Sequence, residues 1–251
     1  MSCDLRVLAV MPHPDDECWC AGLLAAQVAA GVQVHLATAC NGNMGGMPDR
    51  TPDERAAVRK QEMARAAEAI GCALHWMDIG DDEIMHQFTN DYTQLEWRFR
   101  NLVREVDPHL LILSHPDDYH HHHRAVSEVA LNASVNAGNP SFVSDYPAST
   151  GVPATIYTQP LPPTPFAPHV YADISGTFEQ KIEALHCHES QHPFLQGHHK
   201  TDFVSLVRTT AQLHGAACNV PYAEAYALCH RFNRPATIQA LAGFFPEPDC
   251  E

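Results

Sequence analysis

Leu5-Arg6-Val7-Leu8-Ala9-Val10-Met11-Pro12-His13-Pro14-Asp15-Asp16-Glu17 is the stretch that decides the fold of this chain. Its first seven residues are apolar apart from Arg6 and predict a strand buried on both faces. A turn dense in metal-ligand residue types follows at once. A second apolar run, Leu110-Leu111-Ile112-Leu113, precedes Asp117-Asp118-Tyr119-His120-His121-His122-His123. Two buried strands that each lead into His and Asp suggest ligands converging at one edge of a sheet. In open α/β sheets that edge, outside the carboxyl ends of the strands, is where active sites sit.

Outward from the first strand, residues 19–30 read as an Ala/Leu-rich helix stopped by Gly31. Residues 32–38 read as a second strand, followed by a loop at 41–46. Thr51-Pro52-Asp53-Glu54 opens a helix over 52–70 that stops at Gly71. Further strands are predicted at 73–77 and 109–114, with helices over 93–106 and about 121–136. Between Pro140 and Pro168 there are eight prolines, which reads as an ordered insertion or lid with a short strand at 155–158. A strand at 170–174 and helices at 177–188, about 200–214 and 221–231 complete the reading. Strand and helix alternate through the first half, so the expectation is one α/β domain over 1–251. It would hold a Rossmann-like, mostly parallel sheet flanked by helices, with the Pro-rich insertion and C-terminal helices. The fingerprint G-x-G-x-x-G after the first strand is absent, as are G-x-x-x-x-G-K-[ST] and G-x-S-x-G. Nucleotide-binding and serine-hydrolase readings are therefore disfavoured.

The chain has 251 residues, 45% of them hydrophobic, enough for one substantial core. Its formal net charge of −15 argues against nucleic acid or an anionic membrane as a partner. No segment approaches a membrane span, and the first residues do not read as a signal peptide. The nine cysteines are odd in number and scattered, which fits reduced thiols and a cytoplasmic location. Cys18 and Cys20 form a C-x-C beside His13 but have no matching pair, so packing is the favoured role. The 18 histidines raise the prior for metal chemistry.

His13 and Asp16 sit on a strand-to-helix turn and can face a common point, and an imidazole with a carboxylate suits zinc or ferrous iron. Asp15 would point beside that site, where an unligated carboxylate is a natural general base. If a helix starts at the second cluster, His120 and His123 share a face. One can complete a metal site while the other reaches substrate. His121 and His122 are expected on the solvated surface, with His122 as an alternative ligand.

His13-Pro14-Asp15-Asp16-Glu17 together with the run from Asp118 to Val126 resembles the PIG-L/LmbE-like N-acetylglucosaminyl deacetylase family. Arg59-Lys60-Gln61-Glu62 is similar to its R-x-x-E helix, and Lys181 with His188-Glu189-Ser190-Gln191 to its late K…H-x-S-Q segment. The resemblance spans about residues 5–191. It implies a Rossmann-like fold and a mononuclear metal, usually Zn2+ (Fe2+ or another divalent ion being alternatives), that hydrolyses the acetamide of an amino sugar. By position it implies His13, Asp16 and His123 as metal ligands and Asp15 as general base. His120, in protonated form, would stabilise the oxyanion or protonate the leaving amine, and Arg59 would stand near the acid/base carboxylate. Where the family has Pro-Asp between the two histidines, this chain has His121-His122. Where the family opens its first helix with Gly-Gly, this chain has Cys20-Ala21-Gly22.

Asp82, Asn43 and Tyr119 are further candidates for substrate contact, while Trp76 and Trp97 are expected in the core. The expected partner is a small N-acetylated molecule, and a homo-oligomer stays open. Competing readings are an amide hydrolase acting on a non-sugar N-acyl compound and a His-rich metal-binding protein without catalysis. Asp15 speaks against the last, because storage has no use for an unligated carboxylate beside the metal.

Overall fold

The computed structural model describes residues 4–162, 164–200, 202–231 and 244–245. The opening strand is β1 (Arg6–Met11), from which a single 3-10 turn, Asp16–Trp19, leads into α1 (Ala21–Ala29). Then follow β2 (Gln33–Cys40), α2 (Pro52–Ile70), β3 (Ala73–Ile79), α3 (Ile84–Asn90), α4 (Tyr92–Val106), β4 (Leu110–Leu113) and α5 (His121–Ala137). The second half contains β5 (Ala154–Thr158), β6 (Val170–Asp173), α6 (Phe178–His186), the single turn α7 (Gln191–Phe194), a π-helical turn Leu195–His199, α8 (Phe203–Cys218) and β7 (Ala223–Leu228).

The seven strands form one sheet in the order β3-β2-β1-β4-β5-β7-β6. The first five are parallel, whereas β7 pairs antiparallel with both β5 and β6. This is the mostly parallel, Rossmann-like sheet expected. Both faces of β1 are covered. Val7, Ala9 and Met11 pack with α1, α2 and α6 on one face, while Leu8 and Val10 pack with α4 and α5 on the other. A strand covered on both faces reads as a continuous apolar run. Between β1 and β4 the chain order reverses, and the register Val7↔Leu110 to Val10↔Leu113 brings both strand ends to one edge. A crevice opens at such a switch point.

Helix α2 starts where its sequence signals. The Thr51 and Glu54 side chains each accept from the other's backbone N–H, closing a capping box, with Pro52 in the first position. Gly71 ends the helix at φ +86°, a conformation that costs glycine little.

Three expectations are corrected. The segment 221–231 is not a helix. Residues 223–228 form β7, whose first five residues are buried, because a strand slot between β5 and β6 outweighs the helix preference of Ala, Glu and Leu. The Pro-rich segment is not only an insertion, since its strand β5 is interior to the sheet, between β4 and β7. Helix α3 and the turns at 191–199 lie in stretches given no regular structure. Cys18 and Cys20 pack in the core, and the seven described cysteines are free thiols, with Cys3 and Cys250 outside the described residues. None of the described helices is long and apolar enough to cross a membrane.

Candidate active site

Both clusters meet above the β1/β4 switch point. After β1 the chain turns through Asp15, which holds φ +104° as the N-cap of the 3-10 turn. This reversal aims neighbouring carboxylates in different directions. Asp16 turns back, and its Oδ2 accepts from the His13 backbone N–H at 2.9 Å and lies 3.2 Å from His13 Nδ1. The same Oδ2 lies 3.2 Å from His123 Nε2. Two imidazole nitrogens thus each lie 3.2 Å from one carboxylate oxygen, and these donor types suit zinc or ferrous iron. Burial alone would raise Asp16, but His123 and then His13 hold its carboxyl well below the usual range.

The second cluster sorts by helix geometry. His120 is the N-cap of α5, and His123, buried, lies one turn in, so the two rings stack with centroids 4.8 Å apart. The nearest ring nitrogens of His13, His120 and His123 lie within 4.8 Å of one another. His123 Nδ1 lies 3.2 Å from Asp118 Oδ1, which also accepts from the His120 backbone N–H. A carboxylate on the far nitrogen of a ligating histidine fixes its tautomer and raises its basicity. His120 Nδ1 accepts from the His122 backbone N–H at 3.2 Å, which leaves the proton of the neutral ring on Nε2. Burial, then the neighbouring His13, His123 and His122, push His120 down to about 3. With Nδ1 engaged by the His122 N–H, the ring presents Nε2 to the site.

His121 is exposed as expected, but His122 is not on the solvated surface. It is half-buried, its Nδ1 lies 2.9 Å from His13 Nε2, and with His13 and Cys40 it forms a second group of close ligand atoms. Burial, then His13, lower it to about 4.

The weaker motifs assemble around Asp15. Arg59 reaches from α2, its Nη2 3.2 Å from Asp15 Oδ2 and donating to the Pro14 carbonyl. Gly42, at φ +72°, lies over the Arg59 side chain where a Cβ would come within 2.6 Å of its Cδ. Burial pushes Asp15 up to about 6 against the pull of Arg59. The Asp15 backbone N–H donates to Glu17, whose other oxygen lies 2.7 Å from the buried His188 Nε2. Glu62 accepts from Ser190 N–H and Oγ, which positions Gln191 at the cavity.

A cavity of about 600 Å³ opens over these groups. Asp82 and Tyr119 line it, the latter 54% exposed, as does Arg59. Asn43 does not line it: its side-chain oxygen accepts from the Asp81 N–H and its amide donates to Asp82, bracing the loop from behind. Trp76 and Trp97 lie away from the site on a shallow surface depression. Residues not anticipated at the cavity include Trp19, Asp81, Phe194, Phe203 and Leu206. Trp19, three residues after Asp16, and Asp81, next to Asp82, carried a signal of proximity, whereas Phe194, Phe203 and Leu206 carried none.

The PIG-L family model, described as GlcNAc-PI de-N-acetylase, matches residues 8–134, which contain both clusters. The chain is 30% identical over 205 residues to a diacetylchitobiose deacetylase of Thermococcus kodakarensis, covering 75% of this chain and 70% of the relative. It is 25% identical to a 4-oxalmesaconate hydratase of Pseudomonas putida, covering 73% of each. The fold matches the N,N'-diacetylchitobiose deacetylase of Pyrococcus horikoshii with a TM-score of 0.74 and 23% identity, over 89% of this chain and 83% of that one. With half its length matched by the family model and the signature residues of both clusters inside that match, the chain belongs to the PIG-L family.

Proposed function

We propose that the protein is a metal-dependent N-deacetylase that hydrolyses the acetamide of an N-acetylglucosamine-type amino sugar or its conjugate. The observation that carries this reading is the division of labour between adjacent carboxylates. Asp16 shares its oxygen with His13 and His123, whereas Asp15 stands beside that set, paired with Arg59 and raised to about 6. A base poised near neutrality is what proton abstraction from water needs. The matching deacetylase supports the reaction class.

His13, Asp16 and His123 would hold a zinc or ferrous ion, which supplies Lewis-acid polarisation of a carbonyl and acidification of a water. Asp15 takes the proton from the attacking water as its oxygen bonds to the acetamide carbon. The Nε2–H of His120 donates to the carbonyl oxygen as negative charge develops there, an interaction stronger in the transition state than before it. The C–N bond then breaks, the Asp15 carboxyl returns its proton to the amine, and acetate leaves. Arg59 holds the Asp15 carboxylate in place. One domain over 1–251 and a cytoplasmic setting for its free thiols belong to the same reading.

A second reading comes from the hydratase relative: addition of water to a carbon–carbon double bond could use the same base. Acetate release from a panel of N-acetylated sugars and other acetamides, with metal content measured, separates the two. Release from an N-acetylglucosamine derivative that stops in metal-loaded Asp15→Ala supports the deacetylase. Hydration of an unsaturated diacid without any acetate release would refute it.

A further inference from the structure

The cavity is lined by two unlike sets of residues. One comprises Asp15, Asp16, Arg59 and the histidines together with Asp81 and Asp82. The other is formed by Trp19, Leu161, Phe194, Phe203 and Leu206. Phe203 meets Trp19 edge to face at 6.1 Å, and Phe203 and Leu206 are only half-buried. A volume of about 600 Å³ is that of a site for a drug-sized ligand, more than one acetylated pyranose fills. A hexose placed edge-on against such a wall would bury hydroxyls without hydrogen-bond partners, whereas an alkyl group meets no such penalty.

Charge narrows the ligand further. Among the described lining residues Arg59 is the one Lys or Arg side chain, and it is engaged by Asp15 and the Pro14 carbonyl. Four carboxylates line the same space. An anionic substituent on the aglycone, directed away from the ion-binding residues, would meet no Lys or Arg partner among these residues and would share the space with Asp81 and Asp82.

Building on the deacetylase reading, we propose that the substrate is an uncharged N-acetylated amino sugar with an apolar aglycone, which rests on the Trp19–Phe203–Leu206 wall. Because the acyl group of that reaction is acetyl, the apolar part belongs to the aglycone. The acetamide lies over His13, Asp16 and His123, and the aglycone spans the cavity toward α8.

Calorimetric binding to metal-loaded Asp15→Asn protein tests this without turnover. The ligands are the methyl, butyl and hexyl β-glycosides of N-acetylglucosamine, its 2-carboxyethyl glycoside, and the methyl glycoside of N-hexanoylglucosamine. The dissociation constant should fall by up to about fourfold per added methylene in the alkyl series. The carboxyethyl glycoside should bind more weakly than the methyl one. Phe203→Ala and Leu206→Ala should flatten the alkyl gradient, and Phe203→Leu should retain it, which separates loss of the wall from loss of the fold. A flat alkyl series, or a larger gain from the N-hexanoyl group than from the hexyl aglycone, overturns the proposal. Amine release from the methyl glycoside by the unmodified enzyme reports separately on the reaction. A binding gradient without amine release refutes deacetylation and leaves the ligand class standing, while amine release with a flat gradient does the reverse.

Discussion

Asp15 shows how one backbone angle divides two neighbouring carboxylates. Aspartate tolerates the left-handed region better than most residues, yet φ +104° lies beyond its usual well. The conformation is held by Glu17, which accepts from the Asp15 N–H, and by Arg59 on its side chain. Asp15→Ala should therefore retain metal while kcat falls by about 10²–10⁴-fold, the usual worth of a general base, as metal analysis and acetate release would show. His123→Ala should instead lose the metal, and an unchanged metal content would rule out its ligand role. His122, whose Nδ1 meets His13 Nε2, should act on the metal through that histidine. We expect His122→Ala to weaken metal binding by roughly 10- to 100-fold in a chelator competition, with unaltered affinity counting against it. The H-x-D-D pattern and the spacing of His120 and His123 were legible in the sequence, because both follow from the geometry of a turn and a helix. The inward turn of His122 was not, because nothing local aims a residue in the first turn of α5 at a histidine 109 positions earlier.

At the level of elements, local chemistry was enough where a segment carries its own signals. Thr51-Pro52-Asp53-Glu54 states the start of α2 and Gly71 its end, and both stand. Thr51→Ala should cost about 1 kcal/mol, read as a lower denaturant midpoint. Strand β7 is the opposite case. Ala223-Glu224-Ala225-Tyr226-Ala227-Leu228 lacks the β-branched residues of a strand and takes that form because β5 and β6 flank it. The edge of the sheet carries a pH-dependent contact. His35 on β2 and His75 on β3 face each other at 2.9 Å, and burial lowers both, with His75 a further cause for His35. A histidine whose folded pKa is depressed binds its proton more readily when unfolded. Stability should therefore be full above the ordinary histidine pKa of about 6.5 and decline as pH falls through it toward the lowered folded values. The melting temperature of His75→Gln should accordingly drop less between pH 7 and about pH 5 than that of the unmodified protein; equal drops would dismiss the contact.

Across the whole molecule, one buried carboxylate ties the late sheet to the early helices. Glu224 on β7 accepts from Gly22 and Leu23 N–H at the start of α1, from Lys181 Nζ on α6 at 2.7 Å, and from the Tyr226 hydroxyl. Both partners of the ion pair are buried, so Glu224→Ala leaves an uncompensated ammonium and should cost about 3–5 kcal/mol in chemical denaturation. Replacing both Lys181 and Glu224 by methionine should recover most of that loss, and no recovery would mean that the helix N-terminus, not the charge pair, dominates. Lys181, Glu62 and His188 were weak signals singly, since each is one residue in a motif; their meaning lies in partners 43, 128 and 171 positions away. By itself the sequence determined the α/β class, the buried strands, the edge at which the two clusters meet and the His- and Asp-rich turns, because apolar periodicity and capping act within a few residues of chain. Only the tertiary structure decided that β5 and β7 complete the sheet, that His122 faces inward, and that Trp19, Phe203 and Leu206 give the cavity an apolar wall. Those features arise where segments distant in sequence exclude water together, and no local pattern encodes which segments will meet.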